Sequence, residues 1–516
     1  MNSVAENPYD AVPYQSFPYA TTRPANLYTV GTLFGVSAPD FRTARVLELG
    51  CASGGNLIPL AFHYPDGHYV GVDYSERQIE IAAKTVAELG VKNIEFIARP
   101  FADMPSLDKF DYIICHGVYS WVDDDARNSI LEICRTRLVE NGLAVISYNT
   151  LPGWNMVRSL REMMLYHAKL FEDPVEKVAQ AMELLRFVRD NNPEGSTYRN
   201  VIDSEINLLS EQSVSYVAHE HLEFENSQFY FHEFAAALGR HGLQYVGNSD
   251  ISQMYVDNLP EDAAEKLKAV TDILRQEQYM DFISNRRFRS SIVCSEAVTV
   301  NRNLRQEAIH DYYLSSSIKP DEADVKAETA DTRFRDRSGS VVFTTHTKEA
   351  AVLFGELSES LRPIKSGDLV DMAARNLDGA DRDALRKLIE ELGLRLALKG
   401  LISLHAEAGS HVSHVSEMPE ASRLVRHQAA LHGWATNTWH QKIGHDLFSR
   451  ILIGYLDGSN SLDDLCQIMS EQVDKGVLAV QVDGKDIADA EQRRLVIRNL
   501  TRTALDSIAQ NALLVA

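Results

Sequence analysis

At 516 residues the chain is long enough for three or four domains, at about 150 residues per domain. Apolar residues make up 45% and charged residues 24%, a balance that excludes disordered, collagen-like and coiled-coil classes for the bulk of the chain. With 73 acidic against 51 basic residues the formal net charge is −22, which repels phosphate backbones and anionic lipid and argues against nucleic acid or membrane surfaces as partners.

Residues 1–24, MNSVAENPYDAVPYQSFPYATTRP, hold four prolines and three tyrosines without a helical or strand period. Aromatics at this density dock against something, so an ordered lid is expected. From Arg45 the pattern changes. RVLELG, HYVGVDYS, NIEFIARP, FDYIICHG and GLAVISYN read as strands. GGNLIPLAFHY, IEIAAKTVAELG (stopping at Gly90) and NSILEICRTRL read as helices between them. Strands alternating with helices predict a parallel sheet wound on both faces.

The alternation breaks after Tyr148. Two long amphipathic helices are predicted over 154–190, the second opened by Asp173 as N-cap and Pro174 at the first position. Val175, Val178, Met182 and Leu185 make its apolar stripe, and a third helix is expected over 201–216. FHEFAAALGRHGLQYVGNSD and RRFRSSIVCSEA then restore a helix and two strands, so 151–215 reads as a helical insertion. Residues 314–331 read as a polar linker. Beyond them come a hairpin at Ser338-Gly339, two helices, a longer helix over 381–398 and the strand-like GLISLH, a winged-helix-like order suited to protein packing. A second polar stretch with His411 and His414 precedes a last segment expected to be all-helical; no acidic or Cys pair completes a metal set there. The five cysteines form no CxxC pair, and no basic-then-apolar leader or long apolar run occurs, so the chain reads as cytoplasmic.

The chemistry sits in Glu48-Leu49-Gly50-Cys51-Ala52-Ser53-Gly54-Gly55-Asn56, directly after a strand and opening a helix. Glycines there let backbone N–H groups approach a ligand at the positive end of the helix. Asp73 ends the next strand, where a carboxylate can accept both hydroxyls of a ribose. The dinucleotide fingerprint needs a second glycine where this chain has Ala52, and Glu48 stands two residues before Gly50. A ligand without pyrophosphate but with an amino-acid moiety, S-adenosylmethionine (SAM), suits the loop better than NAD or FAD.

ELGCASGGN followed by GVDYS is similar to motifs I and II of the class I SAM-dependent methyltransferases. Together with YDAVPYQSFPYATTRP, CHGVYSWV, SYNTLPGW, EQYMDFISNRRFR and ATNTWHQKIGHDLFSRILIGYLDGS, the chain resembles the bacterial methyltransferases that carry a methyltransferase regulatory domain, among them the rickettsial lysine methyltransferases of an outer-membrane protein. The resemblance implies an α/β, Rossmann-like class I domain with a helical insertion, a winged-helix-like middle domain and a helical C-terminal domain. Its boundaries would be 1–150 with 216–300 for SAM binding, 151–215 for dimerisation, 301–406 for the middle domain and 407–516 for the C-terminal domain.

The same resemblance implies site residues. Gly50, Ser53 and Gly54 would lie under the methionine moiety, with Glu48 and Asn56 also binding the cofactor, Asp73 would take the ribose, and Tyr74 would stack on adenine. Where relatives place an Asp for the adenine amino group, this chain has Pro100-Phe101, with Asp103 beyond; Phe101 and Asp103 stay as alternatives. His116 would face the methionine moiety, with Tyr14 and Tyr19 as lid. Tyr119, Trp121, Tyr148 and Trp154 would surround an acceptor amine, whose neutral form apolar burial favours. The expected partner is a protein with exposed lysines and the expected assembly a homodimer. A small-molecule O- or N-methyltransferase and a non-catalytic SAM sensor are the alternatives.

Overall fold

The computed structural model describes residues 15–105, 107–327, 331–482, 485–487 and 489–516. One sheet organises the first half: β1 (Arg45–Leu49), β2 (His68–Asp73), β3 (Ile94–Ala98), β4 (Phe110–Cys115), β5 (Leu138–Asn149), β6 (Leu243–Asn248) and β7 (Phe288–Ser295). The spatial order is β3-β2-β1-β4-β5-β7-β6. β1 to β5 pair in parallel, whereas β7 runs antiparallel to both β5 and β6. Parallel strands are covered on both faces by their crossover helices, which is why RVLEL and FDYIIC carry apolar residues of both parities. The strand order reverses between β1 and β4, and the crevice at the carboxyl ends beside such a reversal is where ligands bind.

Helices α1 (Pro24–Leu33) and α2 (Leu57–His63) cover one face; Leu27, Val46, Leu57, Tyr69 and Val145 pack there. At its edge the same face meets α3 (Glu76–Leu89), whose Val86 and Leu89 pack with Ile58 of α2, while the opposite face meets α4 (Asp124–Arg137) near its centre. Ser75 caps α3 by accepting from the Gln78 N–H, and the helix ends before Gly90, as predicted.

The expected insertion consists of α5 (Gly153–Ala168), α6 (Pro174–Asp190), α7 (Thr197–Ser210) and α8 (Val214–His221). Asp173 caps α6 through the Glu176 N–H. Leu160, Met164, Val178, Met182, Leu185 and Ile206 close a core separate from that of the sheet. Two details differ from the sequence reading. Val175 is exposed, and the helix expected over 201–216 is two, because Ser213 starts α8 by accepting from the Tyr216 N–H. The chain rejoins the sheet through α9 (Phe231–Arg240), β6, α10 (Glu261–Lys268), α11 (Ile273–Ser284) and β7.

In the middle region Tyr313–Ser316 lies between Ile364–Lys365 and Ile402–His405 in an antiparallel sheet. Helices Lys348–Glu359, Ser366–Arg375 and Arg382–Leu398 pack against it through Leu353, Leu369 and Ile389, a winged-helix-like arrangement. The linker expected over 314–331 is therefore corrected. Leu314 and Ile318 are buried, and Lys319–Pro320 pairs with Thr332–Arg335. The all-helical reading of the last segment is also corrected. Beside its helices Arg423–Leu431, Leu447–Ile453, Leu462–Asp474 and Ala490–Gln510 it carries two strand pairs, Trp434–Thr436 with Lys442–Gly444 and Gln481–Val482 with Lys485–Asp486. Among the described residues no helix is long and apolar enough to cross a membrane.

Candidate functional site

The loop after β1 is pinned to the neighbouring strand. Gly50 N–H and Cys51 N–H both donate to the Val72 carbonyl, at 2.8 and 3.1 Å. Gly50, Ala52 and Gly54 have φ of 76°, 45° and 77°. Glycine takes such values without strain, and at Gly50 a Cβ would stand 2.3 Å from Val118 Cγ2, so nothing larger fits. Ala52 is the strained member. Its N–H donates to Asp73 Oδ2 at 2.8 Å, while Ser75 N–H donates to Oδ1 at 2.9 Å. Asp73 thus fixes the loop from the carboxyl end of β2. Ser53 lies half-buried on the same turn.

Behind the loop, Glu48 and Asn56 are buried. Asn56 Nδ2 donates to Glu48 Oε1 at 2.7 Å, and Glu48 Oε2 is buried with no partner. Burial, with a smaller push from Asp73, raises the Glu48 carboxyl to about 8. A cationic group beside that orphaned oxygen would favour its ionised form. Asn56 itself is corrected as a direct ligand. Its Oδ1 accepts from Tyr19 N–H (3.0 Å) and His440 Nε2 (2.7 Å), and its Nδ2 is spent on Glu48 and Thr22. It acts as a bracket beneath the loop.

At the carboxyl end of β4, His116 meets Tyr19 with ring centroids 4.1 Å apart and Phe288 at 5.8 Å. Burial lowers the His116 pKa to about 4, so the ring is neutral near pH 7 and would not repel a bound cation; its Nδ1 is buried without a partner. Tyr74 is 62% exposed beside Asp73. Phe101 opens a short 3₁₀ turn after β3 and packs at the margin of the core, while Asp103 is exposed. Tyr14 lies outside the described residues.

The four aromatics expected around an acceptor do not form one slot. Tyr148 is buried, stacks on Phe234 at 4.1 Å and bonds Ser291 through its hydroxyl. Tyr119 packs edge-on against Phe234, also within the core. Trp121 and Trp154 meet edge to face at 6.4 Å, and Trp154 continues to His221 of α8, joining the insertion to the sheet. The rings gathered at the carboxyl strand ends are instead Tyr19, His116 and Phe288.

Sequence reasoning also missed Ser16, whose Oγ accepts from Gly55 N–H at 2.8 Å, and Ser147, whose Oγ accepts from Gly117 N–H at 2.8 Å. Asn149 at the end of β5 is buried with its Nδ2 unpartnered. His440 went unassigned although it stands within a quoted motif. A glycine loop over a strand-end carboxylate, with orphaned polar atoms on Glu48, His116 and Asn149, can hold a nucleoside carrying a charged amino-acid tail.

Comparisons with known proteins place the chain among methyltransferases. Residues 40–198 match a family described as a methyltransferase domain, 213–295 one described as a predicted methyltransferase regulatory domain, and 417–513 one described as a PKMT C-terminal winged helix domain. The last falls on the segment whose strand pairs contradict the all-helical reading. The chain is 41% identical over 521 residues to an uncharacterized protein of Rickettsia prowazekii (strain Madrid E), covering 99% of this chain and 94% of that one. It is similar to PKMT2 from Rickettsia typhi, with 32% identity, 98% of this chain and 100% of that chain covered, and a TM-score of 0.90. For PKMT2 in complex with AdoHcy the identity and coverage are the same and the TM-score is 0.91.

Proposed function

Because the chain belongs to the family of class I methyltransferases that includes Rickettsia typhi PKMT2, we propose that it transfers methyl groups from SAM to lysine side chains of a protein. It is a SAM-dependent methyltransferase by family. The observation that supports the lysine reading best is the match to PKMT2, which extends over nearly the whole chain rather than the cofactor unit alone.

The loop from Gly50 to Gly54 would lie under the methionine moiety, Glu48 would meet its ammonium and Asp73 the ribose hydroxyls. SAM supplies an activated methyl on a good leaving group, so in-line placement of the acceptor lone pair does most of the chemistry. A lysine amine has a pKa of about 10.4 in water and attacks only when neutral. Seating against Tyr19, His116 and Phe288 would disfavour its ammonium form, and the neutral His116 adds no charge beside the sulfonium. The net charge of −22 would draw lysine-rich chains toward the protein. Segments 301–406 and 407–516 would receive the acceptor protein. The absence of paired cysteines among the described residues fits a cytoplasmic setting. Lysine methylation should disappear from specific proteins when the gene is deleted, as read by mass spectrometry of whole-cell digests. Loss of a methylated metabolite with the protein pattern unchanged would refute the lysine assignment.

The insertion is proposed to dimerise. Tyr166, Leu170 and Phe187 on or beside α5 and α6 are 78%, 73% and 65% exposed, more apolar surface than a solvated helix pair needs. In light scattering the parent should have twice the chain mass, and a Leu170→Asp, Phe187→Asp variant the mass of one chain. A variant that keeps the parent mass would contradict this face as the contact.

A further inference from the structure

Resting on the reading of the Gly50–Asn56 loop as the SAM site, we propose that His440 of the C-terminal domain is a positioning residue for cofactor binding, so that this domain forms part of the cofactor site. His440 lies in the loop between strands Trp434–Thr436 and Lys442–Gly444. That loop is tied down within its own domain. Asn437 Oδ1 accepts from Trp439 N–H (3.0 Å) and Gln441 N–H (2.9 Å), and its Nδ2 donates to the Asn511 carbonyl at 3.1 Å. His440 consequently takes φ 60°, which non-glycine residues adopt rarely, and it is 1% exposed. A buried side chain held in a sparsely populated conformation points to a constraint beyond the turn itself.

Its Nε2 stands 2.7 Å from Asn56 Oδ1, linking residues 384 positions apart. The amide orientation of Asn56 follows from its neighbours. Tyr19 N–H points at Oδ1, and Nδ2 faces the Glu48 carboxyl group. A flipped amide would set donor against donor, so His440 carries its proton on Nε2 and donates to Asn56. The chain of bonds thus runs from the C-terminal domain through Asn56 to Glu48, whose other carboxyl oxygen is orphaned.

The same hairpin also holds the segment over the loop. Phe17 meets Trp434 edge-on at 5.4 Å and lies under Lys442 Nζ at 3.6 Å. Arg23 donates to the Thr438 carbonyl at 3.3 Å, pairs with Glu407 at 3.6 Å and lies over the Trp439 ring at 5.4 Å. Both the floor (Glu48) and the cover (Tyr19) of the site are therefore positioned by one hairpin of a distant domain.

Calorimetric titration of the full chain with SAM tests this. His440→Ala should weaken SAM binding about tenfold, the effect of one buried hydrogen bond with its misplaced acceptor. His440→Gln, which keeps an N–H for Asn56, should restore affinity to within about threefold of the parent. A merely structural role would lower the melting temperature of both cofactor-free variants and leave both SAM affinities at the parent value. Should His440→Ala fail to fold, Phe17→Ala, which detaches only the cover, should still cost about fivefold in affinity. Parent affinity in a folded His440→Ala, or in Phe17→Ala where the former does not fold, overturns the proposal. No SAM binding by the parent would instead remove the cofactor reading on which it rests.

Discussion

Replacing Asp73 by alanine will weaken SAM binding by about 100-fold or more, because one carboxylate serves two functions. On the protein side it accepts from Ala52 N–H and Ser75 N–H and holds Ala52 at φ 45°. On the ligand side it is proposed to take the ribose hydroxyls. Losing charge-assisted bonds to both partners costs about 1.5–3 kcal/mol for each bond lost, offset in part by water. Tyr74→Ala provides the contrast. That side chain is exposed and would contribute only a face to adenine, so its removal should cost less than about tenfold. Calorimetry on both variants measures the difference, and equal, small effects would argue against Asp73 as the ribose ligand.

Arg289→Met will destabilise the fold by about 3–5 kcal/mol while leaving surface pairs as a control. Arg289 is fully buried on β7, and Asp281 accepts from it bidentately at 2.8 and 2.9 Å. Its Nη1 donates to Glu277 Oε2 at 2.8 Å, the Tyr245 hydroxyl donates to the same oxygen, and its guanidinium lies 3.9 Å over the Phe231 ring. The variant takes from Glu277 its Arg289 partner and leaves Asp281, four residues on along α11, paired with Arg286 alone. Arg158→Ala, which breaks the exposed pair with Glu162, should cost less than about 1 kcal/mol. Urea unfolding of the three proteins decides this, and a loss of less than about 1 kcal/mol in Arg289→Met would show that the cluster is not a structural pivot.

Much of the α/β unit was legible because parallel strands buried on both faces leave short apolar runs between amphipathic helices. The Gly50 loop and Asp73 were legible for a related reason, since close backbone approach and a strand-end carboxylate restrict residue type. Tyr148 illustrates a signal that was present but unused. It shares strand parity with Ile146 and Ala144, so it faces the same core as Phe234. The polar stretch at 314–331 misled because Ser and Lys at exposed strand positions hide the buried Leu314 and Ile318 between them. The role of Asn56 was beyond reach of any local pattern. Its partners Tyr19, Thr22, Glu48 and His440 come from three separate stretches of chain, and only the fold brings them together.

The most direct measurement combines the purified full chain, SAM and an unfolded lysine-rich protein, followed by mass spectrometry of the digested acceptor. The account predicts added methyl groups on lysine Nζ atoms, absent when Asp73→Ala replaces the parent. SAM bound by the parent with methyl groups found on other side chains or on none would contradict it.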